Sequence, residues 1–100
     1  MRDPVLGEAE LEALLAGPDG PAWALSDGRL IATVACRGFV GAMAFVVAVA
    51  EAAEAAGHHP DIDIRYDRVE LALVTHDSGG VTRRDVELAR TIDAIAAGRA

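Results

Sequence analysis

Apolar residues recur along this chain in two rhythms, one helical and one alternating. In EAELEALLAG, Glu8 to Gly17, the leucines Leu11, Leu14 and Leu15 share one helical face, and Gly17 suits the left-handed position just past a helix end. A short amphipathic helix is predicted there. Gly17-Pro18-Asp19-Gly20-Pro21 then breaks any regular structure. Beyond it, AWALSDGRLIATVAC reads as two strands around Asp27-Gly28, a strong short-range hairpin signal, with Trp23 and Leu25 alternating on the first strand. From Phe39 the pattern turns helical through Ala56 and stops at Gly57, and its many alanines let the helix lie close against a sheet.

A second hairpin follows. Ile62, Ile64 and Tyr66 alternate on one strand and Val69, Leu71 and Leu73 on the next, so both sets face one side, the core, if Asp67-Arg68 forms the turn between them. With that turn His76 falls opposite His59; a three-residue loop moves its partner to His58 or Pro60. In these registers the third histidine lies at the same hairpin end as the first two. The last element opens at Thr82-Arg83-Arg84-Asp85, close to a capping box, and continues with Val86, Ala89, Ile92 and Ala96 on one face. The order helix, hairpin, helix, hairpin, helix predicts a single α+β domain over residues 1–100. Its expected architecture is a four-stranded antiparallel sheet of two adjacent hairpins with about three helices on one face. The opposite sheet face is left to solvent or to a partner.

Composition narrows the function classes. The chain carries 16 acids against 9 bases, a net charge of −7. An electrostatic grip on nucleic acid or on an anionic membrane surface is therefore not expected. All the bases are arginine, and lysine, asparagine and glutamine are absent; a P-loop lysine and a lysine Schiff base are excluded. Cys36, the only cysteine, permits no internal disulfide, suits a reducing cytoplasm, and is expected to be a buried thiol. The apolar run Phe39 to Ala50 is short of the ~20 residues that span a bilayer and reads as a core helix. The charged N-terminus shows no targeting signal.

The candidate chemistry sits in the three histidines, His58, His59 and His76. Pro60 pushes His59 into an extended conformation, where neighbouring side chains point to opposite sides. That geometry disfavours His58 and His59 as a chelating pair on one metal, and no cysteine stands near enough in sequence to complete a zinc set. Glu54 lies one helical turn before His58 near a helix C-terminus, where a carboxylate is mildly unfavourable. Asp85 has a full explanation as a capping carboxylate, and Tyr66 reads as a half-buried strand residue.

Taken in order, Glu54-x-x-x-His58-His59-Pro60, Tyr66, Thr75-His76-Asp77, Gly79-Gly80 and Thr82-x-x-Asp85 resemble the signature of the pterin-4a-carbinolamine dehydratases. The likeness extends to Trp23, Phe39, Ala50-Glu51, Leu88-Ala89 and Ile92-Asp93, with departures at Asp67, where the family usually has Asn, and in the few aromatics of Thr33-Val34-Ala35-Cys36. The resemblance implies dehydration of 4a-hydroxytetrahydropterin to quinonoid dihydropterin, the step that recycles pterin cofactor for aromatic amino acid hydroxylases, as in tetrahydrobiopterin metabolism. It implies no metal or redox cofactor, a small-molecule pterin substrate, and a homodimer or homotetramer. It further implies His58 and His76 as proton-transfer groups and His59 as a pterin-positioning group, with Glu54, Pro60 and Asp85 binding or supporting. Two other readings stay open: a non-catalytic dimerisation or assembly module of the same fold, and a metal-binding domain. Apolar residues of the first hairpin, Trp23, Leu25, Leu30 and Ile31, are the expected oligomer contacts, with the histidine end left open.

Overall fold

The computed structural model describes residues 3–16 and 23–98. Gly17 and the breaker cluster that follows it lie outside the described residues. The elements are α1 (Glu8–Leu15), β1 (Ala24–Ser26), β2 (Arg29–Ala35), α2 (Gly38–Ala56), β3 (Asp61–Arg65), β4 (Arg68–Leu73) and α3 (Arg83–Gly98). The strands form one antiparallel sheet in the order β1-β2-β4-β3, so the two hairpins lie side by side with β2 against β4. This is the α+β architecture that the patterning predicts.

The period-2 rule separates the two sheet faces. Leu30, Val69, Leu71 and Leu73 are fully buried, with Ile62 and Ile64 half-buried beside them. Opposite them pack Ala42, Phe45, Val49 and Ala53 of α2 and Val86, Ala89 and Ile92 of α3, one helical stripe each. The other face carries Thr33, Asp61, Asp63, Arg65, Arg68 and Glu70, all exposed. Among these, Asp63 lies beside Arg65, and its carboxylate pushes the guanidinium pKa up.

The first hairpin turns at Asp27 and Gly28, both at positive φ (52° and 75°), the conformation that an Asp-Gly pair favours. The second departs from expectation. Arg65 pairs with Arg68, so the turn is Tyr66-Asp67 and not Asp67-Arg68. Tyr66 takes a left-handed φ of 54° and is 69% exposed, and is not a half-buried strand residue. The register shift is an even number of residues, which keeps the side-chain parity, so Ile62 and Ile64 still face Leu71 and Val69. Carried past Asp61 and Ala72, the observed register sets His59 level with Val74 and His76 level with Gly57, not with His59.

α2 is 19 residues long and, by length and composition alone, apolar enough to cross a membrane. Its inner stripe lies in the core; its outer face exposes Phe39 (52%), Val40 (81%), Met43 (38%) and Val47 (57%). The apolar surplus expected on the first hairpin is therefore mostly elsewhere: Trp23 and Leu30 are buried, and Trp23 Nε1 donates to Asp93 at 2.9 Å. Cys36 is half-buried where β2 leaves the sheet; burial, and then the nearby Asp67 carboxylate, push its thiol pKa up.

Candidate active site

The site is built where α2 ends. Gly57 adopts φ 63°, a conformation that costs glycine little, and its N–H donates to Glu54 O at 3.1 Å. The His58 N–H then donates to Ala53 O at 3.1 Å, which anchors His58 to the last helical turn. Pro60 holds His59 extended, so the two imidazoles diverge: His58 is 8% exposed at the side chain and His59 61%.

Each meets a carboxylate. His58 Nε2 lies 2.5 Å from Asp85 Oδ1, and Asp85 is fully buried. Asp85 Oδ2 accepts the Thr82 N–H and the Thr75 hydroxyl, both at 2.8 Å. Thr82 caps α3, its Oγ1 accepting the Arg84 N–H at 3.2 Å. Of the capping box expected from Thr82-x-x-Asp85, the Asp85 half is present while the Thr82 hydroxyl takes the Arg84 N–H, and the same carboxylate also serves a histidine 27 positions away. On the outer side, His59 Nε2 lies 2.7 Å from Glu54 Oε1. Glu54 supports the neighbour of the histidine one helical turn beyond it.

His76 comes from the loop after β4. Thr75 and Gly80 close that loop by a bridge in which the Thr75 N–H donates to Gly80 O at 3.0 Å, and His76 stands exposed at its start. His58, His59 and His76 line one cleft of about 370 Å³, together with Thr75, Asp77 and Arg84. The structure thus brings the three imidazoles together although the register differs from that expected. Pro60 acts on the backbone beside the cleft and does not line it. Tyr66 and Cys36 lie at the opposite end of the sheet, where the Cys36 N–H donates to Asp67 O at 2.7 Å.

Two cleft residues, Arg84 and Thr75, stand outside the site candidates that the sequence offers. Arg84 donates to Gly57 O at 3.3 Å and lies 3.6 Å from Asp3 and 4.0 Å from Asp77, tying α3 to both loops of the cleft. Nothing in Arg83-Arg84 separates the outward arginine from the inward one before the phase of α3 is known. Thr75, 1% exposed, looks in sequence like any strand-end threonine. Among the described residues no group of three or more histidine, cysteine or acidic side chains is arranged to hold a metal ion. The cleft offers three imidazoles, one on a buried carboxylate, one on an exposed carboxylate, and one without a hydrogen-bond partner among the described residues, a residue type suited to general acid/base work.

Comparison with known proteins bears on what such a cleft serves. Residues 4–95 match the family model described as pterin 4 alpha carbinolamine dehydratase. A protein of Acidobacterium capsulatum named "Putative pterin-4-alpha-carbinolamine dehydratase" is 61% identical over 75 residues, 75% of this chain and 82% of the relative. A protein of the same name from Chloroflexus aurantiacus is 53% identical over 92 residues, 92% of this chain and 97% of its own. Among solved structures, a transcriptional coactivator/pterin dehydratase from Brucella melitensis superposes with a TM-score of 0.84 at 32% identity, covering 92% of this chain and 98% of that one. A pterin dehydratase-like RuBisCO assembly factor of the alpha-carboxysome shares the fold, with a TM-score of 0.62 at 23% identity over 76% of this chain and 88% of its own.

Proposed function

The chain belongs to the pterin-4a-carbinolamine dehydratase family, and from that premise we propose that it dehydrates 4a-hydroxytetrahydropterin to quinonoid dihydropterin by histidine acid/base catalysis. The observation that carries the reading is the convergence of all three histidines on one cleft. The reaction breaks the bond between C4a and its hydroxyl and removes a proton from a ring nitrogen, so that water leaves. Hydroxide is a poor leaving group and needs a proton; the ring nitrogen needs an acceptor.

His58 takes the proton from the ring nitrogen. It is the imidazole set against a buried carboxylate, and a carboxylate on one ring nitrogen stabilises the imidazolium that forms when the other accepts a proton. His76, exposed at the start of the loop after β4 and lining the same cleft, donates to the departing hydroxyl. His59, held by Glu54, orients the pterin. In the cell the reaction would recycle pterin cofactor after an aromatic hydroxylase has turned over, in the cytoplasm. The decisive test is the rate of dehydration of freshly generated carbinolamine by purified protein, with chelator present. Acceleration over the spontaneous rate supports the reading, and equality with it ends it.

The exposed stripe of α2 supports a homo-oligomer as the working form. Val40, Met43 and Val47 recur at helical spacing between Arg37 at one end and Glu51 and Glu54 at the other. Two copies of α2 packed antiparallel about Met43 would bury the apolar stripe and bring Arg37 of each toward Glu51 of the other, leaving Glu54 to His59. Light scattering coupled to size exclusion tests this: a multiple of the 10.4 kDa chain mass is expected, and Val40→Glu should reduce it to one.

A further inference from the structure

We propose that Thr75 is a positioning residue: with Thr82 and Asp85 it forms a one-way hydrogen-bond chain that puts the His58 proton on Nε2 and leaves Nδ1 bare for the substrate. The kinetic consequence rests on the dehydratase reading above; the proton's position does not.

The direction of the chain follows from groups that can only donate. The Arg84 N–H donates to Thr82 Oγ1, so the Thr82 hydroxyl accepts on that side. Its own proton has one acceptor within reach, Thr75 Oγ1 at 2.8 Å. Having accepted it, Thr75 directs its proton to Asp85 Oδ2 at 2.8 Å, where the Thr82 N–H, again an obligate donor, also arrives. The reverse assignment would leave the Thr82 proton without an acceptor in a site where Thr75, Thr82 and Asp85 are all buried.

Two donors on Oδ2 leave no room there for a carboxyl proton. The proton between Asp85 and His58 therefore lies on the line from Nε2 to Oδ1, and an imidazole is ordinarily more basic than a carboxylate. It stays on Nε2. His58 Nδ1 has no hydrogen-bond partner among the described residues, and the ring lines the cleft. In neutral His58 that free nitrogen is then an acceptor, the state a base needs; a proton on Nδ1 would make it a donor and disable it.

Thr75 has a further tie. Its N–H closes the loop that presents His76, so one buried residue both orients the carboxylate behind His58 and fixes the loop of the other proton-transfer group.

The test pairs Thr75→Val, nearly isosteric without the hydroxyl, with Thr75→Ser, which keeps it. Long-range 1H–15N correlation on 15N-labelled protein, at a pH where the imidazoles are neutral, reads which nitrogen of His58 carries the proton. Wild type should show Nε2–H alone. Thr75→Val leaves the carboxylate held by the Thr82 N–H alone, free to turn away from His58, and should therefore show a mixture, with kcat lowered roughly 10- to 100-fold and KM little changed, the size expected for losing a hydrogen bond to a charged group. Thr75→Ser should restore both. A wild-type proton on Nδ1, or equal kcat losses in the Val and Ser variants, would overturn the proposal. Should Thr75→Val not fold, Asp85→Asn gives the same reading, because its amide can donate to His58 and move the proton to Nδ1; retention of Nε2–H in that variant also overturns the proposal. Carbinolamine turnover at the spontaneous rate by a wild type with the Nε2–H signature would end the dehydratase reading and leave the tautomer assignment standing.

Discussion

His58 and His59 are adjacent in sequence, and each lies against a carboxylate at hydrogen-bond distance, yet the two pairs are physically different objects. His58 and Asp85 are buried, and the carboxylate oxygen turned away from His58 takes two further donors, the Thr82 N–H at the start of α3 and the Thr75 hydroxyl from the loop after β4. His59 and Glu54 stand in solvent, with side chains 61% and 77% exposed, and among the described residues no other hydrogen bond or ion pair reaches either side chain. Alternation of side chains on extended backbone creates the difference. Water then sets its consequence: the exposed pair is screened and flexible, while the buried pair cannot lose a partner without stranding the other.

The comparison breaks most visibly at Asp85. Asp85→Ala removes the partner of a buried imidazole and leaves the Thr75 hydroxyl and the Thr82 N–H without their acceptor, so a loss of about 3–5 kcal/mol in unfolding free energy is expected by chemical denaturation. A loss no larger than that of an ordinary helix cap would mean that the burial of the pair carries no energetic weight.

On catalysis the contrast is one of kind. His58→Ala should lower kcat by ~10²–10⁴, the range for a positioned proton-transfer group, and His76→Ala should do likewise. His59→Ala should chiefly raise KM. Steady-state kinetics on the three folded variants checks this, and three near-wild-type profiles would make all the imidazoles structural.

At the cap the expected effect is smaller. Thr82→Ala forfeits the hydroxyl that accepts the Arg84 N–H but keeps the backbone N–H on Asp85, so ~0.5–2 kcal/mol is expected from thermal or urea unfolding. A cost matching that of Asp85→Ala would show that Thr82 and Asp85 act as one unit.

Much of this contrast was legible in the sequence, and the rest has physical reasons for being hidden. The divergence of His58 and His59 follows from Pro60 and strand geometry alone. The hairpin ends meet as expected because the register error was even: it moved the turn to Tyr66-Asp67 without exchanging the faces of Ile62 and Ile64. The turn itself was obscure, since tyrosine is not a residue that advertises a left-handed φ. Asp85 was visible as a cap because a cap is local. Its bond to His58 depends on how α3 crosses the end of α2, which no spacing rule encodes. The outer stripe of α2 was masked for a related reason: a helix apolar nearly all round does not declare which face the core takes.

The smallest effect belongs to Glu54. The carboxylate is 77% exposed, and an ion pair of that kind is worth about 0–1 kcal/mol, so Glu54→Gln should change stability by less than the loss of the Thr82 cap. Its effect belongs in binding. Glutamine keeps a side-chain oxygen at the same reach and can still accept from His59, while the carboxylate charge is gone; KM for carbinolamine should rise a few-fold with kcat nearly intact, and most of that difference should vanish at high salt, where the field of the wild-type carboxylate is itself screened. A large drop in kcat in Glu54→Gln would put the exposed pair on the same footing as the buried one, and the distinction between an imidazole that moves a proton and one that orients the pterin would have to be abandoned.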